Sequence, residues 1–326
     1  MLIMTRLFIA LLLVVSAPIQ ALTISEIERH QPETIASSPP NELLGQAKIE
    51  WYTTNRNLGD YLPQVTTFDG KGKLLASWTP HKSGVKNRPT FIFLHGGHGI
   101  GPIDIASAQW ARKELGANVL VLDSFWSRGK TENFATWNEY GANMRALDAI
   151  AAGKFVLSQG VDPTSIYLQG ESQGGWAVLR TMTSTPFFNK YNTMFKAAIA
   201  LYPNCITGGW YKPNLGPYNG TVAIFTAGKD TATPISQCDR EVLTSATYWK
   251  HYPDATHAFD AIFKGGLQDP PVNNDGQCTQ ALNVYNRFAI CRDNAATDDM
   301  RSKVKTLVRT LTPYSSITQL AAVQGS

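Results

Sequence analysis

Residues 164–183 read Thr-Ser-Ile-Tyr-Leu-Gln-Gly-Glu-Ser-Gln-Gly-Gly-Trp-Ala-Val-Leu-Arg-Thr-Met-Thr. Ile166, Tyr167 and Leu168 form a short β-branched and aromatic run, the composition of a buried strand. Trp176, Leu179 and Met182 recur three residues apart, as on one face of a helix. Between them lies Gly170-Glu171-Ser172-Gln173-Gly174, a G-x-S-x-G pattern. A serine at such a strand-to-helix turn is a nucleophile elbow, with its hydroxyl raised at the carboxyl end of a sheet. Gly170 and Gly174 let strand and helix pass close together. The Gln173 amide opens the helix, where unpaired N–H groups favour negative charge. The competing reading is a glycine-rich helix start with a surface serine. A chain with 26 glycines can produce the pattern by chance, so the flanking sequence has to decide.

The flanks repeat the order strand, then helix. Two short strands with a turn at Asp69-Gly70-Lys71-Gly72 are expected between Val65 and Trp78. Thr90–Leu94 is an apolar strand that runs into His95-Gly96-Gly97-His98-Gly99. A helix over 104–115 follows, then a strand at Asn118–Leu122 and a helical period over 136–158. Beyond the elbow come strands at Ala197–Tyr202 and Val222–Phe225, a helix at 234–244, a strand at Ala246–Tyr252 and a closing helix at 297–312. Such alternation means an α/β fold, a mostly parallel sheet with helices on both faces. Functional groups on such sheets gather at the carboxyl ends of strands. Ser172, Asp230 and the His95-Gly96-Gly97 loop all fall at such ends, and His257 follows the last strand.

Serine becomes a nucleophile when a base takes its proton, usually a histidine oriented by a carboxylate. In sheets of this type the chain order is serine, acid, histidine. Here that order selects Ser172, Asp230 and His257 as catalytic candidates. Of six histidines, His257 is the one placed just after the last strand. The competing reading of Asp230 is a helix N-cap. An oxyanion needs two amide donors. Gln173 supplies one, and Gly97, or else His98, supplies the other. The loop at 95–101 lacks G-K-[ST] and does not match G-x-G-x-x-G, which disfavours a phosphate-binding role.

Taken together, these segments resemble the dienelactone hydrolase-like branch of the α/β-hydrolases. The matching residues are Leu94-His95-Gly96-Gly97, Asp123-Ser124-Phe125 with Arg128-Gly129, and Gly170-Glu171-Ser172-Gln173-Gly174-Gly175. Tyr202-Pro203 with Cys205, Gly228-Lys229-Asp230 with Thr233-Pro234 and Cys238, and Ala255-Thr256-His257-Ala258-Phe259 complete the set. They cover about residues 65–312 and are specific at the superfamily level. The resemblance implies a carboxylic ester hydrolase with Ser172, Asp230 and His257 as its triad. Two departures stand out. Dienelactone hydrolases carry a cysteine nucleophile where this chain has Ser172, which disfavours lactone substrates. The stretch Lys264–Ala295 is longer than the family's link to the last helix and is expected to shape the site entrance.

Trp126, Arg128 and Trp210 are candidates for substrate binding. Arg128 can grip a carboxylate in bidentate fashion. The structural alternative, which the local sequence favours, pairs it with a nearby acid such as Glu171. Trp126, Tyr202, Trp210 and Tyr211 can line an acyl pocket or pack in the core.

Residues 1–21 have a basic Arg6, an apolar run from Leu7 to Val15 and a small residue at Ala21. That is the pattern of a secretory signal peptide cleaved near Ala21, too short in its apolar run to be a comfortable bilayer span. The expected organisation is signal peptide 1–21, extension 22–60 and catalytic domain 61–326, with a secreted or periplasmic destination. The formal net charge of +4 is mild, with no block of Lys or Arg, which disfavours a nucleic-acid partner. No membrane association of the mature form and no metal or organic cofactor is expected, and the oligomeric state is left open. The four cysteines avoid C-x-x-C spacing. In an exported chain they suggest two disulfides, Cys205–Cys238 and Cys278–Cys291. The leading function is hydrolysis of small or short-chain esters through an acyl-serine intermediate. A serine peptidase of the prolyl oligopeptidase type and a non-catalytic binding protein on a hydrolase fold are the alternatives.

Overall fold

The computed structural model describes residues 63–128, 141–206, 214–261, 275–282 and 287–312. The expected signal peptide and extension, and Trp210 and Tyr211, lie outside the described residues.

Eight strands make the main sheet: β1 (Gln64–Thr66), β2 (Lys73–Thr79), β3 (Thr90–Leu94), β4 (Asn118–Leu122), β5 (Ile166–Glu171), β6 (Ala197–Leu201), β7 (Val222–Ala227) and β8 (Tyr248–Tyr252). Their spatial order is β1-β2-β4-β3-β5-β6-β7-β8. β1 and β2 join the sheet antiparallel, and every pairing from β4 to β8 is parallel. Among the described residues, five helices accompany it: α1 (Pro102–Leu115), α2 (Ala142–Ser158), α3 (Gln173–Met182), α4 (Arg240–Thr244) and α5 (Asn294–Leu311). A separate hairpin joins β9 (Cys278–Leu282) to β10 (Arg287–Cys291).

The strand sequences explain the two-sided burial. Successive side chains on a strand point to opposite faces. Phe91, Phe93, Val119, Val121, Ile199 and Phe225 enter one core with Ile105 and Ala108 of α1 and Met300, Val304 and Val308 of α5. Ile92, Leu94, Leu120, Leu122, Ala198 and Ile224 enter the other, with Val156 of α2 and Trp176, Leu179 and Met182 of α3. Both sets are apolar, so the strands read as continuous hydrophobic runs, as a sheet covered on both faces requires.

Most expected elements are present, with two differences and one boundary outside the described residues. The expected helix over 234–244 is broken into a 3-10 turn at Ile235–Gln237 and the short α4. The cause is Cys238, whose extended backbone (φ −86°, ψ 114°) reaches the disulfide to Cys205. Within the described residues, α2 begins at Ala142 behind Gly141 as N-cap, so the expected start at 136 lies outside them. The β9–β10 hairpin was not anticipated in the 264–295 stretch.

Both disulfides pair as expected, Cys205 with Cys238 and Cys278 with Cys291. The first ties the loop after β6 to the segment after β7, across 33 residues. Closing a loop of that length restricts the unfolded chain by about 3–4 kcal/mol in the chain-entropy treatment. Replacing both Cys205 and Cys238 with Ser should therefore lower unfolding free energy by about that amount. Urea titration of the oxidised proteins measures it, and an unchanged midpoint would contradict the assignment.

Candidate active site

The turn from β5 into α3 is where the sequence constrains the backbone most. A Cβ on Gly174 would overlap the carbonyl oxygens of Leu94 and His95, and one on Gly170 would overlap the backbone of Gly174. Only glycine lets α3 sit this close to β3 and β5. Ser172, between them, has φ 53° and ψ −114°, a conformation that costs a non-glycine residue energy. Its carbonyl accepts from Trp176 N and Asn204 N, and its own N–H donates to Leu201 O at 2.9 Å. The turn is thus held from both sides.

The loops after β7 and β8 bring two further groups to Ser172. His257 Nε2 lies 3.1 Å from Ser172 Oγ, and His257 Nδ1 lies 2.8 Å from Asp230 Oδ2. Asp230 divides its work: Oδ1 accepts the N–H groups of Ala232 and Thr233, while Oδ2 faces the imidazole. The N-cap-like role and the carboxylate–histidine role therefore coexist. Thr233 Oγ1 sits 2.9 Å from Tyr202 O, 2.9 Å from Asp230 Oδ2 and 3.2 Å from His257 Nδ1, closing the site from behind. Burial pushes the Asp230 carboxyl up, but the His257 charge and the bonds from His257 and Thr233 outweigh it and hold it below the usual range. The acid is therefore ionised at neutral pH. His257 is 5 % exposed, with the rings of Tyr202 and Phe288 edge-on at 5.0 and 5.2 Å.

These groups open onto a cavity of about 200 Å³. Gly96, Gly97, His98 and Gln173 line it beside Ser172, so both expected sources of oxyanion donors border the same space. Gln173 N–H is in the first turn of α3, where amides have no partner within the helix. Ile103, Phe288 and Ile290 form apolar wall. Among the described residues, three of the four non-glycine residues with positive φ, namely Ser172, Tyr202 and Ala258, line this cavity. Backbone strain of that kind gathers at functional sites.

Asp104 and Glu171 also line the cavity, and neither was anticipated there. Burial raises Asp104 to about 7, against the opposing pull of the Gly101 N–H and Arg145. Burial, with Asp104 and Asp260 close by, pushes Glu171 well above the usual carboxylate range. Asp104 also reaches back to the N-cap of α1, its Oδ2 accepting from Gly101 N at 2.8 Å. That Gly-x-x-Asp spacing was the signal available in the sequence.

Two of the expected substrate-binding residues are elsewhere. Arg128 does not line the cavity. Its guanidinium bonds Asp148 in bidentate fashion at 2.8 and 2.9 Å and donates to Ser124 O at 2.7 Å. The structural role is the right one, with Asp148 of α2 and not Glu171 as the acid. Trp126 is 6 % exposed and packs in the core shared with α1 and α5. It is held there because Asp123 Oδ1 accepts its backbone N–H. Trp210 lies outside the described residues. The 264–295 stretch does shape the site, through Phe288 and Ile290, and Ile290 bridges to His257.

No protein-family model matches the sequence, and no curated protein does. Solved structures do. A candidate dienelactone hydrolase from Klebsiella pneumoniae shares 14 % identity, with 76 % of this chain and 98 % of that one covered and a TM-score of 0.56. A dienelactone hydrolase-like promiscuous phosphotriesterase from metagenomic libraries shares 11 %, covering 78 % and 99 %, at 0.54. A thermophilic esterase from Thermogutta terrifontis, solved with butyrate bound, shares 15 %, covering 78 % and 94 %, at 0.52. At these identities the likeness is one of fold: the chain has the α/β-hydrolase fold, in the arrangement seen in dienelactone hydrolase-like proteins.

Proposed function

We propose that the protein is an exported serine hydrolase that cleaves small or short-chain carboxylic esters through an acyl-serine intermediate. The observation that carries this reading is the relay from Asp230 Oδ2 through His257 to Ser172 Oγ, at 2.8 and 3.1 Å. With Nδ1–H donated to Asp230, Nε2 is left free to take the serine proton. Ser172 Oγ then bonds to the ester carbonyl carbon. The carbonyl oxygen gains negative charge beside the Gln173 and Gly97 amides, and each such donor is worth about 10²–10³-fold in rate. The carbon–alkoxide bond breaks and the alcohol leaves with the proton from His257. Water repeats the sequence, and the carboxylic acid departs.

The size claim rests on the cavity. About 200 Å³ is below the ~300–1,000 Å³ common for drug-sized ligands. A cavity of this size, lined by Phe288, Ile290, Asp104 and Glu171 among others, leaves room for a short acyl or alcohol group. Among the described residues, no lysine or arginine lines the cavity. A substrate bearing a carboxylate would meet two buried acids and no fixed cation, which agrees with a serine in place of the dienelactone hydrolase cysteine. Export is supported by the leader-like pattern of residues 1–21 and by two disulfides, which persist in oxidising compartments.

A fluorophosphonate probe should label the active protein once, at Ser172, and Ser172→Ala should abolish labelling. The same substitution should lower kcat by several orders of magnitude, about 10⁶-fold where comparable triads have been dismantled. A label elsewhere would refute the assignment. Across p-nitrophenyl esters, kcat/KM should fall steeply beyond roughly eight acyl carbons, as a small preformed pocket requires, and EDTA should leave it unchanged. Faster turnover of a sixteen-carbon ester than of a four-carbon ester would overturn the size claim.

Asp104 makes a separate prediction about stability. Its folded pKa of about 7 lies above the ordinary value of 3.8, so the folded state binds the proton more tightly than the unfolded chain. That stability is fully present below about pH 4 and is lost as pH rises through about 7. Asp104→Asn keeps an acceptor for Gly101 N–H but does not titrate. The melting temperature of the wild type relative to Asp104→Asn should therefore fall between about pH 4 and 7 and level off above. A constant difference across that range would refute it.

A further inference from the structure

Arg145 projects from the first turn of α2 and is fully buried, at 0 % exposure. Burying a guanidinium is costly unless its donors are satisfied. Two of its three nitrogens are spent on the two halves of the proposed oxyanion site. Nη2 donates to the His95 carbonyl at 2.5 Å, and Nη1 donates to the Gln173 side-chain Oε1 at 3.4 Å. Its Cζ lies over the Phe125 ring, 5.0 Å from the ring centre. Burial lowers its pKa to about 10, and Asp148, Asp104 and Asp123 oppose that fall, so the group stays charged at neutral pH.

Each acceptor is adjacent to an amide that the reaction would use. The His95 carbonyl opens the loop that carries Gly97, and it is pressed against Gly174 so closely that a Cβ there would overlap it. The following peptide is fixed by His95 itself. Ser124 N–H donates to His95 Nε2 at 3.0 Å, so Nε2 is unprotonated and Nδ1–H is free to donate to Gly96 O at 2.7 Å. Burial, with Arg145 alongside, holds the His95 pKa well below its ordinary value and keeps this neutral tautomer. A trans peptide carries its C=O and N–H on opposite sides. Anchoring Gly96 O therefore turns the Gly97 N–H to the other side of the same unit. Arg145 holds the carbonyl one step earlier, and through Gln173 it holds the residue whose backbone N–H is the second donor.

We infer that Arg145 is a positioning residue, a clamp that fixes the spacing between the Gly97 and Gln173 amides. It touches no substrate, since it does not line the cavity. Its effect should be felt where charge develops, in the transition state and not in the bound ester. The kinetic consequence rests on the ester-hydrolase reading above, whereas the structural consequence stands without it.

The test uses Arg145→Gln and Arg145→Lys in the full chain, with two readouts. On a four-carbon p-nitrophenyl ester, Arg145→Gln should lower kcat by about 10–100-fold, part of the 10²–10³ that a whole donor supplies, with KM within about twofold of wild type. Native-state amide exchange should quicken in residues 95–99 and 172–175 while α5 and β8 exchange as in wild type. Arg145→Lys can reach one acceptor but not both, and should give an intermediate loss in both readouts. It serves alone if the glutamine variant does not fold. A folded variant with wild-type kcat and wild-type local exchange overturns the inference. So does a rise in exchange spread evenly over the chain, or a loss carried in KM. A wild-type protein without ester turnover would count against the hydrolase reading, and the exchange comparison would still decide whether Arg145 clamps the two segments.

Discussion

The contact on which the rest depends is the approach of α3 to the carboxyl ends of β3 and β5. It leaves no space for side chains at Gly170 or Gly174, and Gly175 is nearly as confined against Pro203. The approach forces Ser172 into a positive φ, where a serine would not settle by itself. What offsets that strain is visible around it. Leu201 O takes the serine N–H, Trp176 and Asn204 use its carbonyl, and Trp176 is buried to 1 % exposure in the core behind α3. A chain that packs this helix so tightly gains a hydroxyl raised from the sheet and two glycine-lined surfaces around it.

The other groups are locked by bonds between loops. Gly228 N–H donates to Tyr252 O and Lys229 N–H to Ala255 O, which joins the Asp230 loop to the His257 loop. The Thr256 hydroxyl accepts from Cys291 N, so the β9–β10 hairpin joins the same assembly. The second disulfide holds that hairpin at its open end, beside the residues that reach His257. Geometry of this kind limits how far the imidazole can drift from Ser172, and proton transfer is sensitive to such distances.

Much of this was legible in the sequence, and for identifiable reasons. Short runs rich in Val and Leu such as Asn118–Leu122, too short for helices and alternating with helical segments, read as strands buried on both faces, so the sheet and its polarity followed from local pattern. Ser172, Asp230 and His257 follow from sheet polarity, because groups at strand ends converge wherever the strands are parallel. Side-chain partners chosen in three dimensions were harder to see. Arg128 finds Asp148, twenty residues away on α2, and no local spacing distinguishes that acid from Glu171. Arg145 sits in an otherwise ordinary helical stretch, and only the packing of α2 on α3 brings it under the 95–97 loop. The β9–β10 hairpin sits in a polar, irregular stretch whose strands lack a clear alternation, and the cysteine pair was its only signal. The break at Cys238 was hidden for the opposite reason: helical composition over 234–244 was overruled by the bond to Cys205.

The distribution of buried charge ties these elements to the proposed chemistry. Asp104 and Glu171 line the cavity with Ser172, Asp230 partners His257 and Asp260 partners Tyr202, and an ionised carboxylate close to a forming oxyanion would oppose it. The environments sort them. Asp230 receives the imidazole, the Thr233 hydroxyl and two backbone amides, and these hold it ionised, as a partner for an imidazolium should be. Glu171, next to Ser172, has Ser107 Oγ at 3.3 Å, and burial drives it toward the neutral form. Asp260 behind it is raised by burial as well, although Tyr202 donates to it at 2.8 Å. Arg145 keeps its positive charge beneath the oxyanion loop. Burial thus does different things to chemically similar groups according to the donors each one meets, and environments that push pKa values apart are how one site can hold both charged and neutral acids. The arrangement leaves a fixed charge opposite His257 and favours the neutral form of Glu171 beside Ser172.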